Sequence, residues 1–256
     1  MRATLTALAV WLAALAAVGT AGAAEVHVAV AANFAAPLAS LANGFTATTG
    51  HTLKVSSGAT GKFYAQVRQG APFDVLLAAD EETPARLAAE GHALGATRFT
   101  YAVGELVLWS ATPGFVDAEG AVLHSSRWRH LAIANPKTAP YGRAAMQLLQ
   151  KRGLDAAALL GRLVMGESIA QTYQFVATGN AELGLVALSQ VQRPGQVPAG
   201  SMWRVPPTEH SPIRQDAVLL NAGRGNPAAT ALLAYLKTEP ALQVMRSFGY
   251  TNVGAR

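Results

Sequence analysis

Two hydroxyls, two glycines and a lysine crowd into the stretch Ser57-Gly58-Ala59-Thr60-Gly61-Lys62, just after the apolar run 53–55. The following residues 62–68 hold no Gly or Pro and read as a helix. A strand, a glycine-bearing turn and a helix start make a site for an anion. The first N–H groups of a helix have no internal partner, and its dipole favours negative charge there. Ser57 and Thr60 add hydroxyl donors. A nucleotide P-loop is excluded by spacing: Ser56 stands where its first glycine belongs, and Phe63 follows Lys62 where Ser or Thr is required. An ordinary turn has the same local signature, so the reading depends on other turns bringing helix starts to the same place.

Other candidate groups point less clearly to chemistry. Gly166-Glu167-Ser168-Ile169-Ala170 partly matches a nucleophile elbow, and His210 follows it as a hydrolase base would. However, Ala170 takes the place of the second glycine, and Glu209 and Asp216 lie too near His210 in sequence to be its acidic partner. Ser168 reads better as a helix cap or as lining of an anion site. The six histidines show no metal-ligand spacing, so no direct metal ligands and no cofactor are expected. Asp74 and Asp80 would be acceptors for a protonated anion, but each reads as a strand-end or turn residue.

The whole chain narrows the classes further. Arg2, an apolar run over 5–18 and the small residues Ala21-Gly22-Ala23 form a secretory signal, cleaved after Ala23 or Ala24, so the protein is expected to be exported. About 230 residues remain, enough for one or two domains. With no cysteine, packing alone must hold the core. The formal net charge of +5 is spread along the chain without a basic run, so nucleic acid is a poor partner.

Around these residues the chain alternates strands and helices. Val26, Val28 and Val30 mark a buried strand that stops at Asn33. Leu38, Leu41 and Phe45 predict a helix over 34–48 with Asn33 near its cap. Strands follow at 53–55 and 73–78, with a helix at 62–69 between them. Thr83 is expected to cap the next helix, with Pro84 at its first position. Such alternation argues a parallel sheet covered on both faces. Segment 99–109 is long, extended and carries Gly104, so it reads as a strand running from one lobe into another.

A second set of units repeats the pattern: strands at 131–134, 163–165, 183–187 and 202–205, and helices at 141–151 and 168–178. Asp155 is expected to cap a short helix over 156–160. Segment 213–220 is the return crossing, and helices at 227–237, capped by Asn226, and 240–248 close the chain. The expected division is a signal at 1–24, a first lobe from 25–104 and 208–256, and a second lobe at 105–207. In sheets of this type ligands sit beyond the carboxyl ends of strands. Asn33, Thr60, Tyr141 and the Ser168-Ile169 pair hold that position, two places in each lobe.

These residues carry a family resemblance. Ala31-Ala32-Asn33-Phe34, Ser56-Ser57-Gly58-Ala59-Thr60-Gly61, Gly70-Ala71-Pro72-Phe73-Asp74-Val75 with Ala79-Asp80, and Asn135-Pro136 with Ala139-Pro140-Tyr141-Gly142 resemble the periplasmic molybdate-binding proteins of ABC importers. The resemblance spans essentially the whole chain after the signal. It implies an α/β type II periplasmic-binding-protein fold, two αβα lobes joined by two crossing strands. It implies a monomer that binds molybdate or tungstate and delivers it to a membrane permease, another oxyanion such as sulfate being the alternative. The family's binding positions fall on Ala32, Asn33, Thr60, Tyr141 and Ile169. Ala32 lacks the hydroxyl that some members carry, Ala187 replaces a tyrosine used by another branch, and Thr60 stands where serine is usual. More of the binding is therefore expected from Asn33, through its backbone N–H and its side-chain NH₂, and from backbone N–H groups. Glu81 and Glu82 are candidates for the permease contact, or else a solvated loop.

Overall fold

The computed structural model describes residues 22–154, 159 and 161–251. The expected signal, through position 21, and the short helix expected at 156–160, Leu159 apart, lie outside them. One sheet is built from β1 (Glu25–Ala31), β2 (Thr52–Gly58), β3 (Val75–Leu77), β4 (Phe99–Gly104) and β10 (Ile213–Leu219), in the order β2-β1-β3-β10-β4. The other holds β5 (Leu106–Ser110), β6 (Leu131–Ala134), β7 (Leu163–Gly166), β8 (Leu183–Ala187) and β9 (Ser201–Arg204), in the order β7-β6-β8-β5-β9.

The two sheets share one plan. In each, a central strand pairs in parallel with a neighbour on either side: β1 with β2 and β3, β6 with β7 and β8. The fourth strand then runs antiparallel to its neighbours, β10 against β3 and β4, and β5 against β8 and β9. The sheets are thus mixed, not parallel as alternation alone suggested. The reversed strand in each is the one that arrives from the other lobe, so it enters against the direction of the βα units.

Helices cover both faces of each sheet, because the parallel strands are apolar on both sides. In the first lobe, α1 (Ala35–Thr49) buries Leu38, Leu41 and Phe45 at helical spacing and ends at Gly50, whose φ of 73° only glycine adopts readily. With α7 (Pro227–Tyr235) and α8 (Glu239–Ser247) it covers one face, while α2 (Thr60–Arg68) and α3 (Glu82–Ala89) cover the other. In the second lobe α4 (Pro140–Lys151) and α5 (Ile169–Ala177) take the two faces, and the short α6 (Leu188–Val191) follows β8. Truncating a core leucine such as Leu38 to alanine would cost about 2–5 kcal/mol.

Two segments cross between the lobes. One is β4 to β5, broken only at Glu105, and the other runs from Arg204 to Ile213. The first crossing needs a glycine, since a Cβ at Gly104 would overlap the Tyr141 hydroxyl and Gln215 Nε2. Three local expectations change. Ser56, Ser57 and Gly58 belong to β2, paired with Ala29, Val30 and Ala31, so the turn before α2 shrinks to Ala59. Thr83 does not cap α3; the Asp80 carboxylate does, accepting the Thr83 N–H at 3.0 Å. Asn33 caps no helix, because the chain passes through a 3-10 turn, Ala32–Phe34, before α1 begins.

Candidate functional site

Helices of eight or more residues follow the carboxyl ends of β1, β2, β3, β6 and β7, and those after β1, β2, β6 and β7 form two matched pairs. The central strand of each lobe leads to one start: β1 through the Ala32–Phe34 turn into α1, and β6 through 135–139 into α4. The edge strand of each lobe leads to the second: β2 into α2 at Thr60, and β7 through Glu167-Ser168 into α5 at Ile169. The shared plan of the sheets therefore delivers two matched pairs of helix starts to opposite sides of one cleft.

They enclose a common cavity. Ala32, Asn33, Thr60, Tyr141 and Ile169 all line it, together with Gly58, Ala59, Ala79, Ala139 and Pro140. The cavity is small, about 10 Å³, and lies between the lobes, so they must part to admit a four-oxygen anion. None of its lining residues carries a formal charge. A wider cleft of about 410 Å³ adjoins it through Ala79 and Pro140, but its two cations, Arg143 and Arg214, are paired with the three carboxylates Asp80, Glu81 and Glu82 that also line it, which leaves no free cation for an anion there. The smaller cavity is the candidate site.

Helix geometry assigns its donors. In α2, the Lys62 and Phe63 N–H groups return to Ala59 O and that of Gly61 crosses to Thr138 O, so the Thr60 N–H has no acceptor within its helix. In α4, the Gly142 and Arg143 N–H groups return to Ala139 O, which leaves that of Tyr141. In α5, Ser168 accepts the Gln171 N–H on its hydroxyl and the Thr172 N–H on its carbonyl, which leaves those of Ile169 and Ala170, and of the two only Ile169 lines the cavity. The starts of α2, α4 and α5 each act as about half a positive charge, together on the order of +1.5, and the 3-10 turn Ala32–Phe34 adds the Asn33 N–H beside them. Most of a dianion's charge is thus compensated without a cationic side chain.

The Asn33 side chain is not a free donor, contrary to expectation. Its Nδ2 donates to Gln215 Oε1 and to the Tyr250 hydroxyl, both at 2.9 Å. The Asn33 backbone carbonyl accepts from Ser189 Oγ of the second lobe at 2.8 Å and from the Tyr250 hydroxyl at 3.0 Å. Gln215 continues the network, accepting from the Tyr101 hydroxyl at 3.1 Å and donating to the Tyr141 hydroxyl at 3.4 Å. Asn33 thus has its backbone N–H left for a ligand. Burial pushes the Tyr101, Tyr141 and Tyr250 phenols up, well above the ordinary range for the first two, so all three stay neutral at physiological pH. No phenolate stands behind the cavity to repel an anion. Gln215, Ser189 and Tyr250 went unnoticed in the sequence because nothing in their neighbourhoods marks them as buried partners.

The nearby ionic groups are paired. Lys62 meets Glu167 across the cleft at 2.9 Å and holds that carboxyl below its usual range. Arg143 meets Asp80 at 2.9 Å and Glu82 at 3.6 Å, and Arg214 meets Glu81 at 3.4 Å. Asp74 accepts the His27 N–H at 2.7 Å, a structural role. The hydrolase reading loses its geometry: Ser168 is occupied as a cap, and the exposed His210 ring bonds only to the Ser211 carbonyl. Ser57 and Ala187 do not line the cavity. Among the described residues no group of three or more His, Asp or Glu side chains is placed to hold a metal ion.

Two mixed αβα lobes, two crossing segments and a neutral cavity at converging helix starts define a two-lobed solute-binding protein of the type II periplasmic-binding-protein fold. Residues 26–251 match the family model described as bacterial extracellular solute-binding protein. The chain is 58% identical over 228 residues to the molybdate-binding protein ModA of Azotobacter vinelandii, across 89% of this chain and 90% of that one. It is 49% identical over 249 residues to ModA of Rhodobacter capsulatus, across 97% and 94%. The solved periplasmic molybdate-binding protein of Azotobacter vinelandii superposes with a TM-score of 0.86 at 41% identity, covering 89% of this chain and 99% of that one. The chain belongs to the bacterial extracellular solute-binding proteins and, within them, to the ModA family.

Proposed function

We propose that this protein binds molybdate between its lobes and hands it to the membrane permease of an ABC importer, with tungstate as an equivalent ligand. The observation that carries the reading is the cavity itself. Residues of both lobes surround it, from the starts of α2, α4 and α5 and from the turn before α1, and no charged side chain lines it. Taking a dianion out of water is costly unless hydrogen bonds replace its hydration. Donors that are already held in place supply them, and bonds from N–H groups to a charged acceptor are roughly twice as strong as neutral ones. The ligand-binding residues are then Ala32, Asn33, Thr60, Tyr141 and Ile169, contacting oxygen and not the metal centre. A site made of donors also disfavours hydrogen phosphate, whose proton needs an acceptor.

The protein acts as a binding component, as its ModA relatives do by name, and not as an enzyme. It works in the periplasm as a monomer, after cleavage near Ala23 or Ala24, and needs no cofactor. A thermal-shift panel of molybdate, tungstate, sulfate, phosphate and citrate tests the reading. Molybdate and tungstate should raise the unfolding temperature most, by the linkage of binding to folding. A larger shift with sulfate would make this a sulfate-binding protein, and no shift with any oxyanion would refute the site.

A further inference from the structure

Beside the site the lobes meet backbone to backbone. The Gly61 N–H of α2 donates across the cleft to the carbonyl of Thr138, in the loop before α4, at 2.9 Å. Gly61 follows the ligand-site residue Thr60, and Thr138 lies three residues before Tyr141. A Cβ built on Gly61 would sit 3.0 Å from both Thr138 Cα and Thr138 O, and 3.4 Å from its carbonyl carbon. These are main-chain atoms of the other lobe, which cannot turn aside as a side chain does.

We propose that Gly61 is the stop that sets how closely the two lobes approach, and therefore the size of anion the closed cavity can grip. The inference rests on the oxyanion function above. Glycine is otherwise a poor choice at this position. Its backbone is helical, within α2, and alanine is the better helix former. A side chain there would leave the first lobe folded and hold the second lobe off by a few tenths of an ångström. Donors on opposite sides of the cavity would then no longer reach the same anion at hydrogen-bonding distance. A smaller anion, with shorter bonds from its central atom to its oxygens, would lose one lobe first.

The test is Gly61→Ala, with molybdate affinity measured by calorimetry, exchange rates by stopped flow, and sulfate as a competitor. Molybdate should bind about tenfold more weakly, the loss equivalent to one charged hydrogen bond, and the change should lie in the dissociation rate. Sulfate should compete less well against molybdate than it does in the wild type. The ligand-free unfolding temperature should match or exceed the wild-type value, which separates blocked closure from a damaged fold. Lys62→Ala, which removes the exposed cross-cleft ion pair without adding bulk, should change the dissociation rate by less than about threefold. A Gly61→Ala dissociation rate within about threefold of wild type, or an equal effect from Lys62→Ala, overturns the inference and leaves the function standing. A wild-type protein that does not bind molybdate overturns both.

Discussion

The buried Ala79 N–H donates to Thr60 Oγ1 at 3.0 Å, and this contact directs the Thr60 hydroxyl proton elsewhere. Thr60 lines the cavity and is 1% exposed. With one lone pair taken by Ala79, the hydroxyl is oriented as a donor toward a ligand. Thr60→Ala should therefore lose about 1.5–3 kcal/mol of oxyanion binding, the range for a hydrogen bond to a charged group, or roughly 10- to 150-fold in Kd. Thr60→Ser keeps both bonds and should stay within about threefold. Calorimetry with molybdate on the two variants checks the pair, and an alanine variant that binds like the serine one would remove Thr60 from the ligand set.

Ser168 separates a cap from a nucleophile. Its hydroxyl accepts the Gln171 N–H at 3.3 Å, and its backbone precedes the ligand-site residue Ile169. Ser168→Ala should lower stability by about 0.5–2 kcal/mol, the cost of losing a cap. Molybdate affinity should change little, because the Ile169 N–H is retained. Urea unfolding and calorimetry give both numbers. Turnover of an activated ester that disappears in this variant would revive the hydrolase reading.

What was legible in the sequence is what local rules control. Asn226 and Ser168 cap the helices they were expected to cap, because an N-cap bonds to residues two or three positions away. The helix starts near Thr60, Tyr141 and Ile169 were marked by the change from extended to helical pattern, and the crossing at Gly104 by an extended segment longer than an ordinary strand. Long-range pairing was hidden. Asn33 looked like a cap because Asn is a good one, but its partners Gln215 and Tyr250 lie 182 and 217 residues away. Ser56 to Gly58 looked like a turn because small residues favour turns, yet β1 supplies a parallel partner that draws them into the sheet. The reversed strands β5 and β10 follow from which lobe each enters, and no local window contains that information.

Asp117 should give the second lobe an acid-sensitive fastening. Its carboxylate accepts N–H groups from Glu119 at 3.1 Å and from Ala121 and Val122 at 2.8 Å, at the turn that begins the 3-10 segment Ala121–His124. Burial pushes its pKa up, but these donors outweigh burial and hold it below the usual 3.8. A depressed folded-state pKa stabilises the protein above the unfolded value, and that contribution is lost as pH falls through the folded one. Asp117→Asn should therefore cost at most about 1 kcal/mol at neutral pH, since solvent screens the charge and Asn keeps one acceptor, with the gap to wild type closing below about pH 3.8. Urea unfolding of both proteins across that range checks it, and a gap independent of pH would show that charge is not the cause.

Gln215 joins the two lobes behind the cavity without lining it. It is fully buried, holds Asn33 and Tyr101 through its carbonyl oxygen and reaches Tyr141 through its amide nitrogen. Gln215→Leu strands the Asn33 amide and should cost about 1–3 kcal/mol of stability, the penalty for an unsatisfied buried donor. Gln215→Glu behaves differently, because it keeps the acceptor for Asn33 but can carry a negative charge. Burial raises a carboxyl pKa, so the group should be neutral in mild acid and charged at higher pH. Tungstate or molybdate should bind this variant progressively more weakly than wild type as pH rises through that raised value, since the new charge then opposes the dianion. Calorimetry of both proteins over the pH range gives the ratio of their affinities. A ratio that stays flat would mean that Gln215 acts on the fold alone, with no electrostatic line to the cavity.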